Sequence, residues 1–190
     1  LTERVRATLS TATISVKDDL VAISRVAELP LSFGQQRLWF IERMDPGNPI
    51  YAITASMRFS QDISPQTLSD ILNLIVCRHE ALRSRFVFVA GKPQQIIEPE
   101  SKITVPVINL QQLSLSAGEQ DAVGLAEKHA RLPFDLATGP LLRAQVLQLS
   151  GGITLLQLCL HHIVADGWSL RVLFDELSEG CRAQVTGEQP

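Results

Sequence analysis

The chain has 190 residues, of which 45% are apolar and 19% charged. That is enough for one domain with a packed core, in the ordinary globular balance rather than a disordered one. A net charge of −3 leaves no chain-wide basic footprint for nucleic acid or for anionic membranes, and no apolar run reaches the length that spans a bilayer.

Residues 1–27 are rich in Ser, Thr and Ala, contain no Gly or Pro, and lack strong periodicity. They read as a linker or lead-in segment ahead of a domain over 28–190. The first residue is Leu1 rather than Met and no secretory signal layout follows, so the chain reads as a piece of something longer. Ser32 is placed to cap a helix running to about Met44, with Leu38, Ile41 and Met44 as its apolar face. Asp45-Pro46-Gly47-Asn48-Pro49 ends that helix. Tyr51–Phe59 reads as a strand, and Ser64-Pro65 opens a helix to about Glu80 with Leu68, Ile71, Leu72 and Ile75 at helical spacing. Arg85–Val89 and Gln94–Ile97 form a hairpin across Ala90–Pro93. Thr104–Leu110 is a short strand, and Gly118–Leu132 a helix. Leu141–Leu149 and Ile153–Leu160 are strands joined across Ser150-Gly151-Gly152. Ser169–Arg182 is an amphipathic helix with Leu170, Leu173, Phe174 and Leu177 on its inner face. Interspersed helices and strands give an α/β or α+β class with a mixed sheet.

Three cysteines, Cys77, Cys159 and Cys181, are odd in number and far apart, with no C-x-x-C. They read as unpaired, buried thiols of a reducing compartment, which places the chain in the cytoplasm.

The densest chemistry is His161-His162-Ile163-Val164-Ala165-Asp166-Gly167-Trp168, directly after an apolar strand. Neighbouring strand residues face opposite ways. One histidine therefore faces the reacting groups while the other packs behind. Imidazole suits proton transfer from an amine or hydroxyl near neutral pH. Asp166 would orient the ring or hold the loop through an arginine, and the Gly167 N–H would lie near a developing oxyanion. Taken alone, the string also admits a purely structural histidine. Adjacent histidines with Asp166 make a poor metal site, because they do not converge and no fourth ligand is evident. A basic string, Arg78-His79-Glu80-Ala81-Leu82-Arg83-Ser84-Arg85-Phe86, lies where a helix gives way to a strand. It suits a helix C-terminus, or it aims Arg78 or Arg83 inward at a buried carboxylate.

Four strings occur in register: Ser32 to Trp39 (S-F-G-Q-Q-R-L-W), Arg78 to Phe86, Phe134 to Arg143 (F-D-L-A-T-G-P-L-L-R) and His161 to Gly167 (H-H-I-V-A-D-G). Together they resemble the condensation domain of nonribosomal peptide synthetases, with Gly34 where Ala is usual and Ser84 where Thr is usual. The resemblance covers about residue 29 to the C-terminus. It implies a chloramphenicol acetyltransferase-like lobe, here the N-terminal one, with the C-terminal lobe absent and the active site in a tunnel between the two. It implies amide formation. An acceptor aminoacyl thioester's amine attacks a donor acyl or peptidyl thioester, both carried on phosphopantetheine arms, with no cofactor or metal bound by the domain itself. His162 is then the histidine tied to catalysis, as general base or as the group positioning the amine. Asp166 is mainly structural, Arg78 and Arg83 support the site, and Trp168 and Ser169 border the tunnel. The implied partners are upstream and downstream peptidyl carrier domains, the other lobe and an adjacent adenylation domain. A single lobe would be inactive. An epimerization domain shares H-H-x-x-x-D-G but opens with a different motif, and a heterocyclization domain carries an aspartate-based signature. A free-standing acyltransferase of the same superfamily is disfavoured by the Arg78 and Phe134 strings. A non-catalytic carrier-docking module is disfavoured by the intact His162 and Asp166.

Overall fold

A computed structural model describes residues 29–60 and 63–186; the lead-in reading of 1–27 falls outside them. Eleven regular elements follow in order: β1 (Leu29–Pro30), α1 (Phe33–Met44), β2 (Ala52–Phe59), α2 (Pro65–Arg78), β3 (Ser84–Val89), β4 (Lys92–Ile97), β5 (Val107–Asn109), α3 (Leu115–Arg131), β6 (Leu142–Leu149), β7 (Ile153–His161) and α4 (Gly167–Thr186). The chain is therefore mixed α/β. Strands β2-β7-β6-β5 form the larger sheet, antiparallel except for the parallel β5–β6 pair, which α3 connects. A smaller sheet, β1-β4-β3, stands apart from it.

The central strands β6 and β7 are buried on both faces, so they read as near-continuous apolar runs rather than alternating ones. Even-numbered residues of both, Leu142, Ala144, Val146, Leu156, Leu158 and Leu160, pack against α2 and α4. Each fully buried leucine contributes about 1.5–3 kcal/mol. The opposite face carries Gln145 and Gln157 under α3. Gln145 Nε2 donates to Gln157 Oε1 at 2.6 Å, and Gln157 Nε2 donates to the Ala122 carbonyl at 2.8 Å, which satisfies these buried amides. The period of two then places His161 on the face that carries Gln157 and Cys159.

Several sequence expectations shift at their edges. α3 begins at Leu115 because Ser114 accepts the Ala117 N–H, a local cap four residues before the first strongly periodic position. Only Val107–Asn109 of the expected 104–110 strand pairs. α4 runs from Gly167 to Thr186, longer than its apolar pattern at both ends. The two-residue β1 carries no pattern of its own; it pairs with β4. In α1 the expected Leu38–Ile41–Met44 face holds for Leu38 and Ile41 but not for Met44. Met44 is 72% exposed, and the half-buried side is Gln35, Leu38, Trp39, Ile41 and Glu42. Trp39 stacks on Phe88 of β3 with ring centroids 5.5 Å apart, and that contact sets the helix's rotation. All three cysteines are free, but Cys77 is exposed on the outer side of α2, while Cys159 and Cys181 are buried.

Candidate active site

The H-H-x-x-x-D-G string turns the chain from the end of β7 into α4. β7 is held on one side by β2, where Ala52 pairs with His161, and the next amide continues the ladder: the His162 N–H donates to the Tyr51 carbonyl at 2.8 Å. The backbone carrying both histidines is thus fixed by the sheet. Their rings part as strand alternation requires. His161 is 2% exposed, whereas His162 is exposed to solvent.

His161 lies behind the site. Its Nδ1 accepts the Ile163 N–H at 3.1 Å, and the Val164 N–H donates to the His161 carbonyl at 3.1 Å, closing a tight turn. The edge of the ring meets Phe134 at a centroid distance of 5.8 Å. Its Nε2 faces Glu42 Oε2 of α1 at 3.8 Å, within ion-pair distance. The ring is nonetheless neutral near neutral pH: burial, with the neighbouring His162 charge adding to it, pushes its pKa down to about 4. Geometry argues the same way, since a protonated ring would turn an N–H against the Ile163 N–H. The neutral ring therefore carries its proton on Nε2.

Asp166 caps α4. Its Oδ1 accepts the Ser169 N–H at 2.8 Å and the Ser169 hydroxyl at 2.7 Å, and its carbonyl accepts the Leu170 N–H at 3.0 Å. These bonds, first the Ser169 N–H and then its hydroxyl, hold the carboxyl below its ordinary range. The expected arginine partner is not found among the described residues; the helix N-terminus takes its place. Gly167 opens α4, and a Cβ there would meet open space, so the bare Cα leaves room in front of the helix end.

The arginines of the second string divide. Arg83 Nε donates to the Cys77 carbonyl at 3.1 Å, and its Nη1 donates to the carbonyls of Glu98 and Pro99. It ties the end of α2 to the segment after β4 through backbone oxygens rather than through a buried carboxylate. Arg78 is mostly exposed, with Nη1 3.5 Å from Glu176 Oε2. The residue that engages Glu176 closely is His79, whose Nε2 lies 2.9 Å from Oε1. His79 borders a cavity of about 210 Å³ between α2, the motif turn and α4, lined also by Leu82, Val164, Trp168, Ser169 and Leu173. Arg143 of the third string caps the end of α3, donating to the carbonyls of His129, Leu132 and Pro133, with its guanidinium 3.8 Å above the Phe134 ring.

Sequence reasoning missed Glu42. Its signal was an acidic residue on the inward side of an amphipathic helix, four positions after Leu38. No group of three or more metal-ligating side chains is gathered among the described residues, and the two imidazoles diverge. No described helix is long and apolar enough to cross a membrane.

A family model described as the condensation domain matches residues 26–190. This chain belongs to the condensation domain family. It is 39% identical over 167 residues to one of the linear gramicidin synthase polypeptides of Brevibacillus parabrevis, covering 88% of this chain and 3% of that protein. It is 38% identical over 159 residues to phosphinothricin tripeptide synthetase PhsC of Streptomyces viridochromogenes, covering 84% and 15%. The chain thus spans a small part of the relatives it matches. Its fold is likewise that of the first condensation domain of the CDA synthetase, at TM-score 0.79 and 23% identity over 87% of this chain and 42% of that one. The starter condensation domain of rhizomide synthetase RzmA matches at TM-score 0.80 and 21% identity, over 86% and 41%. These are structures of the chloramphenicol acetyltransferase-like fold.

Proposed function

We propose that this chain is the N-terminal lobe of a nonribosomal peptide synthetase condensation domain and that its reaction is amide formation between two carrier-bound thioesters. The acceptor's amine nitrogen attacks the donor's thioester carbonyl, a tetrahedral intermediate forms, and the phosphopantetheine thiolate leaves. His162 takes the proton released by the amine, and the departing thiolate is protonated in turn. The observation that carries this reading is the exposed His162 imidazole on a backbone fixed by β2, beside a ring that is buried and neutral. A general base must be solvent- or substrate-facing, near neutral in its proton affinity, and held still. Of the two histidines, only His162 is exposed. The 210 Å³ cavity beside Trp168 and Ser169, lined by Val164 and Ala165 of the turn that follows that base, supports an apolar contact for a substrate group.

The length of the solved condensation domains, of which this chain covers about two-fifths, supports a site completed by a second lobe. The partners are then the second lobe, donor and acceptor carrier domains and an adenylation domain, working in the cytoplasm. The decisive experiment is single-turnover transfer from a donor carrier to an acceptor carrier in the two-lobe protein, with and without His162→Ala, and in the 190-residue chain alone. His162 is exposed, so its truncation leaves the fold intact. The variant is expected to lose on the order of 10²-fold or more in amide formation, and the single lobe to give none. Near-normal transfer by the variant would remove His162 from the chemistry. Comparable transfer by the single lobe would remove the shared site.

A further inference from the structure

Glu42 stands where three segments meet. Its side chain is 11% exposed. Oε1 accepts the Gly47 N–H at 2.7 Å, which closes the turn after α1. That turn lies so close to the next segment that a Cβ on Gly47, at φ +79°, would sit 2.9 Å from Pro133 Cβ. Pro133 leads to Phe134, whose ring meets the His161 edge. Oε2 faces His161 Nε2, a buried nitrogen with no hydrogen-bond partner of its own.

We propose that Glu42 is a positioning residue of the condensation reaction: its carboxylate keeps the His161 proton on Nε2, leaves Nδ1 bare for the Ile163 N–H, and so holds the turn that presents His162. The reason lies in donor and acceptor counting. Both neighbours of Glu42, the Gly47 N–H and the His161 Nε2–H, are donors. Only a group with two acceptor oxygens suits both. If the His161 proton moved to Nδ1, it would meet the Ile163 N–H and open the turn. A displacement on the order of 1 Å at a reacting group lowers rates by about a hundredfold. The proposal rests on the reading of His162 as the reacting group, but its tautomer component does not.

The counting gives an unusual expectation for the isosteric replacement. Glu42→Gln keeps size and shape but has one oxygen and one NH₂. Whichever way the amide turns, it directs a donor at a donor. In the two-lobe protein this variant is expected to lose about tenfold or more in kcat for carrier-to-carrier transfer, with KM for both carriers unchanged. Glu42→Ala removes the acceptors without adding a donor and is expected to lose less than Gln. Ring-nitrogen NMR of His161, assigned by its loss in His161→Asn, is expected to show Nε2 protonated in the parent, less fully so in Glu42→Ala, and the proton displaced in Glu42→Gln. A simple packing role predicts the reverse order, with Gln better than Ala. That order, or a parent-like tautomer and kcat in Glu42→Gln, overturns the proposal. Should Glu42→Gln fail to fold, Glu42→Ala decides: reduced kcat at constant KM supports the proposal, and unchanged kcat overturns it. A displaced His161 tautomer with unchanged transfer would instead point at the reading of His162.

Discussion

Acid should destabilise this chain through His161. The folded ring is pushed down to about 4 by burial, with His162 adding a smaller effect, from an ordinary value of 6.5. Between those values the unfolded chain binds a proton that the folded chain refuses. Stability therefore rises with pH across this window and is lost as pH falls from about 6.5 towards about 4. The interval at about 1.4 kcal/mol per pH unit corresponds to about 3 kcal/mol in full, and roughly 2 kcal/mol of it is lost between about pH 7 and pH 5. The measurement is denaturant unfolding of the 190-residue chain at several pH values, with His161→Asn as reference. Asn does not titrate, and its side-chain oxygen can take over the Ile163 N–H. Other groups also move with pH. His129 is lowered by burial and then by Arg143, and Asp135 is lowered first by the Ala137 N–H and then by Thr138. Both are common to the two proteins and cancel in the difference. A parent-minus-variant difference that stays flat from neutral pH to about pH 4 would refute the reasoning. It would mean that the attraction of Glu42 at 3.8 Å outweighs desolvation and that the ring is charged when folded.

Two glycines of similar helical setting are expected to respond in opposite directions. Gly180→Ala would place a Cβ 2.7 Å from Ile71 Cγ2 across the α2–α4 contact, on a branched side chain that cannot swing aside. The helix-propensity gain of about 1 kcal/mol is outweighed by overpacking of about 1–3 kcal/mol. Thermal or denaturant unfolding should thus show a loss, and a gain would mean that the helices slide apart without strain. Gly124→Ala, with nothing within 4 Å of its Cβ, should stabilise by up to about 1 kcal/mol; a loss there would count against the α3 placement. A thiol reagent near neutral pH is expected to modify Cys77 quickly. Cys159 and Cys181 are buried, with thiols pushed up by that burial, and should react only on unfolding. Prompt reaction of all three would contradict the packing of β7 and α4.

Much of this domain follows from local chemistry. Ser32 and Ser64, the latter followed by Pro65, cap α1 and α2 as their sequence settings predict, because a cap acts within one turn of backbone. Leu68, Ile71, Leu72 and Ile75 are all buried in α2, and Leu173 and Leu177 in α4, because a 3.6-residue period needs only one partner surface. The divergence of His161 and His162 also follows from strand alternation. Tertiary contacts decided the rest. Whether α1 turns Met44 or Trp39 inward depended on Phe88, forty-nine residues beyond Trp39 in the chain. Cys77 lies in an apolar stretch but faces out, since the opposite side of α2 meets the sheet. Asp166 took Ser169 and the helix end rather than an arginine because those donors lie within three residues and need no chain closure. Glu42, 119 positions before His161, was brought to it only by the packing of α1 against the end of β7. Periodicity and capping are short-range and legible in a sequence. Which of two histidines is dry, and which acid faces it, depends on surfaces that exist only once distant segments have met.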